Sequence, residues 1–241
     1  MKVAAQIRKS IERIPESQPF GYADLGIEAT DFYSAAKALE RLQKKGTIKK
    51  VSKGMFYIPR KTIFGELGPD SNGILERYLF EDGKRIAYET GFSLYNRLGL
   101  TTQMAFKIKI ATKKNPIKIN QGTLQVSSVK SYVDVTDQNY QLLGFLDALK
   151  DVKRIPDCSV SQAVKRMRFL IKDLALQEKN ELIQYALFYP ARVRALLGAI
   201  VENMNLKLNL DELKNSLNPL TKVKLSIKET ELPTIKNWNI E

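Results

Sequence analysis

The chain contains no histidine. That absence excludes Ser-His-Asp triads, imidazole metal sites and histidine general-base chemistry together. Any enzyme built from these residues would have to work with carboxylates, lysine or tyrosine. Cysteine is almost as scarce. Cys158 stands alone, so no internal disulfide can form, and this usage fits a reducing cytoplasm. No apolar run approaches the roughly 18–20 residues that cross a bilayer, so no membrane partner is expected. The opening MKVAAQIRKSIERI lacks the unbroken apolar core of a signal peptide. Internal repeats, low-complexity tracts, a GxxxxGK[ST] phosphate loop and an acidic cluster of two-metal spacing are also missing. The sequence therefore predicts no catalytic site, no cofactor and no metal.

What the chain has in excess is positive charge: a net +13 over 241 residues, with an isoelectric point near 9.6. The excess is concentrated. Residues 1–61 hold 13 Lys+Arg against 6 Asp+Glu, a net of +7, while the remaining 180 residues carry the other +6. A focused basic block points to a polyanionic partner, nucleic acid or an anionic surface, whereas charge serving only solubility would be spread out. The length suffices for one large domain or two smaller ones, each with its own core.

Within the basic block the apolar periodicity is helical. Val3, Ile7, Ile11 and Ile14 recur on one side, with Arg8, Lys9, Glu12 and Arg13 on the other, until Pro15 and Pro19 break the pattern. Phe20 to Gly26 leave room for a short helix ending at glycine. A third helix is predicted from Thr30, an N-cap residue, with Asp31 at the positive end of the dipole and Gly46 as the terminating glycine. Phe32, Ala35, Ala36, Leu39 and Leu42 make its apolar stripe. Tyr33, Ser34, Lys37, Arg41 and Lys44 make the opposite face, where Glu40 is the one acidic intrusion. A merely solvated face would mix glutamate with lysine more evenly.

The next stretch, TIKKVSKGMFYIP, reads as a β-hairpin turning at Lys53-Gly54. A simple two-residue register sets Val51 opposite Phe56, Lys49 opposite Ile58 and Lys50 opposite Tyr57. Its first strand carries Lys49 and Lys50 and its turn carries Lys53, while the Met-Phe-Tyr-Ile strand anchors the hairpin on the helices. Helix, short helix, turn, basic-faced helix and basic hairpin describe a winged helix-turn-helix. Its third helix reads the major groove and its wing reaches flanking phosphates. Thr30, Tyr33, Ser34, Lys37, Arg41, Lys44, Lys49, Lys50 and Lys53 are the candidate DNA-binding residues.

Beyond residue 61 the expected order is a turn-rich linker through Phe64–Pro69, a helix from Ser71 to about Glu81, and a short buried helix around Phe92, Tyr95 and Leu98. Strands follow at Phe106–Thr112, Ile117–Asn120 and Leu124–Lys130, split by Asn-Pro and Gln-Gly turns. Helices then run over Leu142–Val152, Ser159–Ala175 and Lys179–Met204, the last kinked at Pro190, with a final one near Asp211–Ser216 and a Pro- and Lys-containing tail. The fold class is α+β: a winged helix-turn-helix over 1–61, then a 62–241 domain, mixed α/β to about 135 and mainly helical after. Glu76, Asp82 and Glu89 read as scattered surface carboxylates. Cys158 reads as a structural or incidental thiol, although a place near a helix start could lower its pKa. Tyr95 and Tyr132 could stack on bases, although aromatics at such spacing usually belong to a core.

Three stretches carry a family resemblance. They are Phe20 to Pro59 with Ala38-Leu39-Glu40-Arg41-Leu42 and Lys53-Gly54-Met55-Phe56-Tyr57, the run from Thr90 to Gln103, and Tyr189 to Ile200. Together they resemble the AbiEi-family antitoxins of bacterial type IV toxin–antitoxin and abortive-infection systems. The resemblance implies a cytoplasmic autorepressor whose N-terminal domain binds inverted repeats in the promoter of its own operon, cooperatively and as double-stranded DNA. It further implies that the C-terminal domain counters a nucleotidyltransferase toxin without a stable complex. Two other readings of the residues stay open. One is a nuclease or transferase delivered by its winged helix; the other is a winged-helix module that binds RNA or a protein partner.

Overall fold

The computed structural model describes residues 2–63, 65–121 and 124–241. Its class is α+β, with short helices and small sheets forming two compact units. One unit runs to Phe80 and takes in Ile119–Gln125; the other comprises Glu81–Lys118 and Val126–Glu241.

In the first unit, α1 (Lys2–Ile11) buries Ile7 and Ile11, as its spacing predicts. The short helix expected over Phe20–Gly26 shrinks to a single 3-10 turn, Ala23–Leu25, closed as expected by Gly26 at φ +64°, and β1 (Pro19–Gly21) takes up the residues before it. Six residues between Pro19 and Gly26 cannot repay helix nucleation, and Phe20 gains more by pairing with Phe56 across the sheet. A second 3-10 turn, Ala29–Asp31, leads into α2 (Phe32–Lys44). Thr30 lies inside that turn and caps nothing; Asp31 occupies the N-cap position without a side-chain capping bond. The C-terminus of α2 matches expectation. Gly46, at φ +72°, donates its N–H to Gln43, and Thr47 donates to Leu42, the paired bonds of a Schellman end.

The hairpin β2 (Lys49–Ser52) and β3 (Met55–Tyr57) turns at Lys53-Gly54, with Gly54 at φ +75°. Its register differs from the simple one. Ser52 opposes Met55, but Lys50 opposes Phe56 and Lys49 opposes Tyr57, because a bulge interrupts the ladder between Lys50 and Ser52. The bulge keeps Val51 buried while Lys49 and Lys50 both remain in solvent, which strict alternation would forbid. All three β3 residues are buried because the strand is central, in the order β1-β3-β2. Of the expected apolar stripe on α2, Ala35 and Leu39 are fully buried. Ala36 is exposed and Phe32 half-exposed, its ring edge-on to Tyr22 at 5.1 Å.

The segment expected to be a linker forms a second hairpin, β4 (Arg60–Thr62) with β5 (Gly65–Leu67), in which Lys61 opposes Glu66; Phe64 lies outside the described residues. Helix α3 (Ser71–Leu79) is capped by Asp70, whose carboxylate accepts the Asn72 and Gly73 N–H groups. It is tied into the unit by Arg77, which pairs with Asp24 at 2.8 Å and donates to the Pro19 carbonyl, and by Tyr78, which shares a hydrogen bond with Ser52.

The second unit begins with the two-residue strands β6 (Phe80–Glu81) and β7 (Lys84–Arg85), joined at Asp82-Gly83, both at positive φ. The strand β8 (Ala87–Thr90), which sequence reading leaves unassigned, leads into α4 (Phe92–Arg97). Within this unit β8 pairs antiparallel with β9 (Ile108–Thr112), and β9 pairs in parallel with β11 (Leu124–Lys130) from Val126 on; most of β10 (Lys118–Gln121) and the first two residues of β11 count with the first unit. The Gln-Gly turn expected before β11 lies partly outside the described residues. Helices α5 (Tyr140–Lys150), α6 (Val160–Asp173), α7 (Leu176–Ala186), α8 (Ala191–Asn203) and α9 (Asp211–Asn215) complete the unit. Pro190 does not kink one long helix. It ends α7's exit and occupies the N-cap of α8, since the residue before a proline is driven out of the helical region. The tail is no appendage either. Val223 bridges to Ile240, and Trp238, 1% exposed, packs against Gly198 of α8.

Candidate nucleic-acid interface

The basic residues of the first unit fall into two groups. On α2, Tyr33, Ser34, Lys37, Arg41 and Lys44 all lie exposed within one sector of the helix, the side opposite Leu39. Tyr33 is 73% exposed, an unusual condition for tyrosine, and the Lys37 ammonium sits 4.5 Å from its ring centroid. That contact holds two flexible side chains together as one amphipathic, cationic surface. Lys44 is paired with Glu40 one turn back at 2.8 Å. Lys37 and Arg41 form no ion pair among the described residues, so their donors face solvent. Thr30 is exposed just ahead of the helix.

The hairpin lysines divide. Lys50 and Lys53 are exposed and unpaired among the described residues, Lys53 at the turn itself. Lys49 is bound to Glu66 of β5 by a hydrogen-bonded ion pair. That bond raises the Lys49 pKa and lowers that of Glu66. Lys49 thus meets any phosphate with a competing carboxylate already in place. Sequence reading missed this because Glu66 lies 17 positions away, in a segment read as linker. It also missed Arg60 and Lys61, exposed on β4, and Arg8 and Lys45, which meet Arg41 and Lys44 around a groove between α1 and α2.

The remaining candidates do not assemble into a reactive centre. Glu76 and Asp82 are exposed, and Glu89 pairs with Arg97 at 3.0 Å. Among the described residues no three His, Cys, Asp or Glu side chains are grouped to hold a metal ion. Burial pushes the Cys158 thiol above its ordinary pKa, which supports the structural-thiol reading and not an activated one; Ser159, not Cys158, caps α6. Tyr95 is 1% exposed and donates to Asp151, so it cannot stack on a base, while Tyr132 already stacks on Tyr189 at 4.4 Å.

Among the described residues the one buried carboxylate is Asp147 of α5, 2% exposed. It accepts from Tyr88 and Thr90 of β8 on one oxygen and from Lys150 on the other. Burial first, and then the Asp147 charge, push the Tyr88 hydroxyl far above its usual range. With donors on both oxygens, Asp147 ties β8 to α5. No described helix is long and apolar enough to cross a membrane.

A family model, "Family of unknown function (DUF6088)", matches residues 6–183. Among curated proteins none matches. Among solved structures, the crystal structure of the RV2827C protein from Mycobacterium tuberculosis is similar in fold. Its TM-score is 0.51 at 12% identity, covering 100% of this chain and 91% of that one. The similarity therefore extends over both compact units.

Proposed function

The chain belongs to the DUF6088 family, whose function is unknown, and from that premise we propose that its first unit is a winged helix-turn-helix that binds double-stranded DNA. The observation that carries this reading is the pairing, within one unit, of two elements. One is a 13-residue helix exposing Tyr33, Ser34, Lys37 and Arg41; the other is the next hairpin, exposing Lys50 and Lys53. A helix of that length fills one major-groove crossing, and lysines on a hairpin reach phosphates beside it. The order α1, two single turns, α2, hairpin, with β1 closing the sheet, supports the same reading. The resemblance to AbiEi-family antitoxins extends it. The protein would repress its own operon at promoter inverted repeats, and the remainder of the chain would counter a nucleotidyltransferase toxin.

The test is a gel-shift titration with the DNA upstream of the gene, run across salt. Lys37, Arg41, Lys50 and Lys53 have no acidic partner among the described residues, and Lys44 is exposed beside Glu40; these five are the cations the reading assigns to phosphates. If four or five engage, log affinity falls against log salt with a slope of about −4, since each neutralised phosphate contributes about −0.9. Binding that favours duplex RNA over that DNA, or an affinity indifferent to salt, overturns the proposal.

A further inference from the structure

The groove between α1 and α2 has a composition the DNA reading does not require. Its floor is apolar, formed by Ala4, Ala38 and Leu42, and its rim carries Arg8, Arg41, Lys44 and Lys45. The open groove holds about 300 Å³. Arg8 of α1 and Arg41, Lys44 and Lys45 of α2 thus border one apolar floor, and among the described residues only Lys44 has an acidic partner, Glu40. Arg41 and Lys45 lie one helical turn apart, a like-charge spacing that costs stability on its own. Placement near two helix C-termini offsets part of that cost for each cation, but it does not explain why both helices direct theirs to the same groove. An anion lodged between them relieves the repulsion. A bare inorganic anion would leave the apolar floor uncovered.

We propose that this groove binds a small amphipathic anion, a carboxylate or phosphate monoester bearing a short hydrocarbon group. The head would be held by Arg8, Arg41 and Lys45 and the tail would lie on Ala4, Ala38 and Leu42. The groove's volume sits at the lower end of small-molecule sites, about 300–1,000 Å³. Its floor offers only three apolar residues, two of them alanines, which is little for the row of apolar anchors on a partner helix. Arg41 belongs both to this rim and to the exposed face of α2. Occupancy would draw its guanidinium toward α1 and weaken DNA binding, and this coupling alone rests on the DNA reading.

The probe is hexyl phosphate, titrated into the full chain by isothermal calorimetry beside inorganic phosphate and hexanol. Hexyl phosphate should bind at least tenfold more tightly than either control. Ala4→Trp, which fills the floor from α1, and Arg8→Glu, which reverses the rim, should each weaken it tenfold or more. Both variants should keep the wild-type melting temperature. Equal affinity for hexyl and inorganic phosphate overturns the proposal, as does binding unchanged in the folded variants, which would mark nonspecific attraction to a basic chain. Tighter binding of an acidic amphipathic peptide than of hexyl phosphate would assign the groove to a protein partner and overturn it as well. Hexyl phosphate should also weaken the promoter gel shift severalfold in wild type and not in Arg8→Glu. Hexyl phosphate binding lost in both variants, with no promoter shift by any form of the protein, would refute the DNA reading and leave the groove assignment standing.

Discussion

Gly198→Ala should unfold the C-terminal docking of the chain, although alanine favours a helix by about 1 kcal/mol over glycine. A Cβ built at Gly198 lies 2.2 Å from two carbons of the Trp238 ring and 2.5 Å from a third. Ordinary carbon contacts are about 3.5–4.0 Å, so ring or helix must retreat by more than 1 Å. The helix is held by the core on its other sides, with Leu196, Leu197, Ile200 and Val201 all buried. The indole is the part able to move. Its complete expulsion would return about 150–250 Å² to water, worth about 4–6 kcal/mol at 25 cal/mol per Å². It would also break the Trp238 indole N–H bond to Glu202. A partial shift costs the overpacking strain, about 1–3 kcal/mol, together with that charge-assisted bond. After the helix gain, the net loss is about 2–8 kcal/mol from partial shift to complete expulsion, or a melting-temperature drop of roughly 4 °C or more. Trp238 is the chain's one tryptophan, so its emission reports the site without a label. The variant should shift that emission to the red. In a Trp238→Leu background the same Gly198→Ala change should become neutral or mildly stabilising, since the clash is gone. A Gly198→Ala protein that melts at or above wild type with unshifted emission would refute the placement of the indole over Gly198.

Four further outcomes follow from the geometry. Lys37→Glu and Arg41→Glu should each weaken promoter DNA by about 1–3 kcal/mol in a gel shift, whereas Lys50→Ala and Lys53→Ala together should weaken all duplexes alike and reduce the salt slope by about 2. Glu66→Gln, which frees Lys49, should raise DNA affinity several-fold at low salt and have little effect at high salt. Asp147→Ala should cost about 3–5 kcal/mol in urea denaturation, because it orphans Lys150 and the hydroxyls of Tyr88 and Thr90. Burial pushes Asp24 up, but the Arg77 and Gly21 hydrogen bonds outweigh it and hold its folded pKa below the ordinary value. Its stabilisation is therefore present above the unfolded pKa and lost as pH falls through the folded one. The melting-temperature gap between wild type and Asp24→Asn should close below about pH 4, as linkage requires.

What the sequence disclosed and what it hid divide along the range of the interactions that decide each feature. The faces of α1 and α2, the Gly46 helix end and the Lys53-Gly54 turn are decided within four or five residues, and all four were legible. Strand β1 was not, because three residues after a proline have no periodicity and form a strand only by pairing with β3, more than thirty positions on. The bulge at Val51 was hidden for a related reason. A local register rule cannot know that β3 is central and buried on both faces, which forces Lys49 and Lys50 to the same solvent side. In the second unit, Pro190 was correctly read as an interruption but not as a full break. That distinction depends on Tyr189, whose hydroxyl is buried and donates to the Leu143 carbonyl on α5. The tail offered a signal that only a partner makes readable: a glycine inside the apolar run of α8 and a lone tryptophan forty residues later.

The same division bears on the candidate interface. Charge on a helix face is a local property, and the α2 face stands as read. Whether a given lysine is free is a tertiary property. Lys49, Lys50 and Lys53 look equivalent in the sequence, yet Lys49 alone is held by Glu66. A basic hairpin in which the lysine nearest α2 is restrained while the two toward the turn are free concentrates its available charge away from the helix. If the first unit binds DNA as proposed, phosphate contacts by the hairpin should therefore lie further from the groove that α2 enters than an even spread of three lysines would place them. Hydroxyl-radical footprints of wild type and Glu66→Gln measure that difference directly: protection should extend inward, toward the helix-bound step, when Lys49 is released. An identical footprint for the two proteins would mean that the Lys49–Glu66 pair does not set where the hairpin meets the backbone.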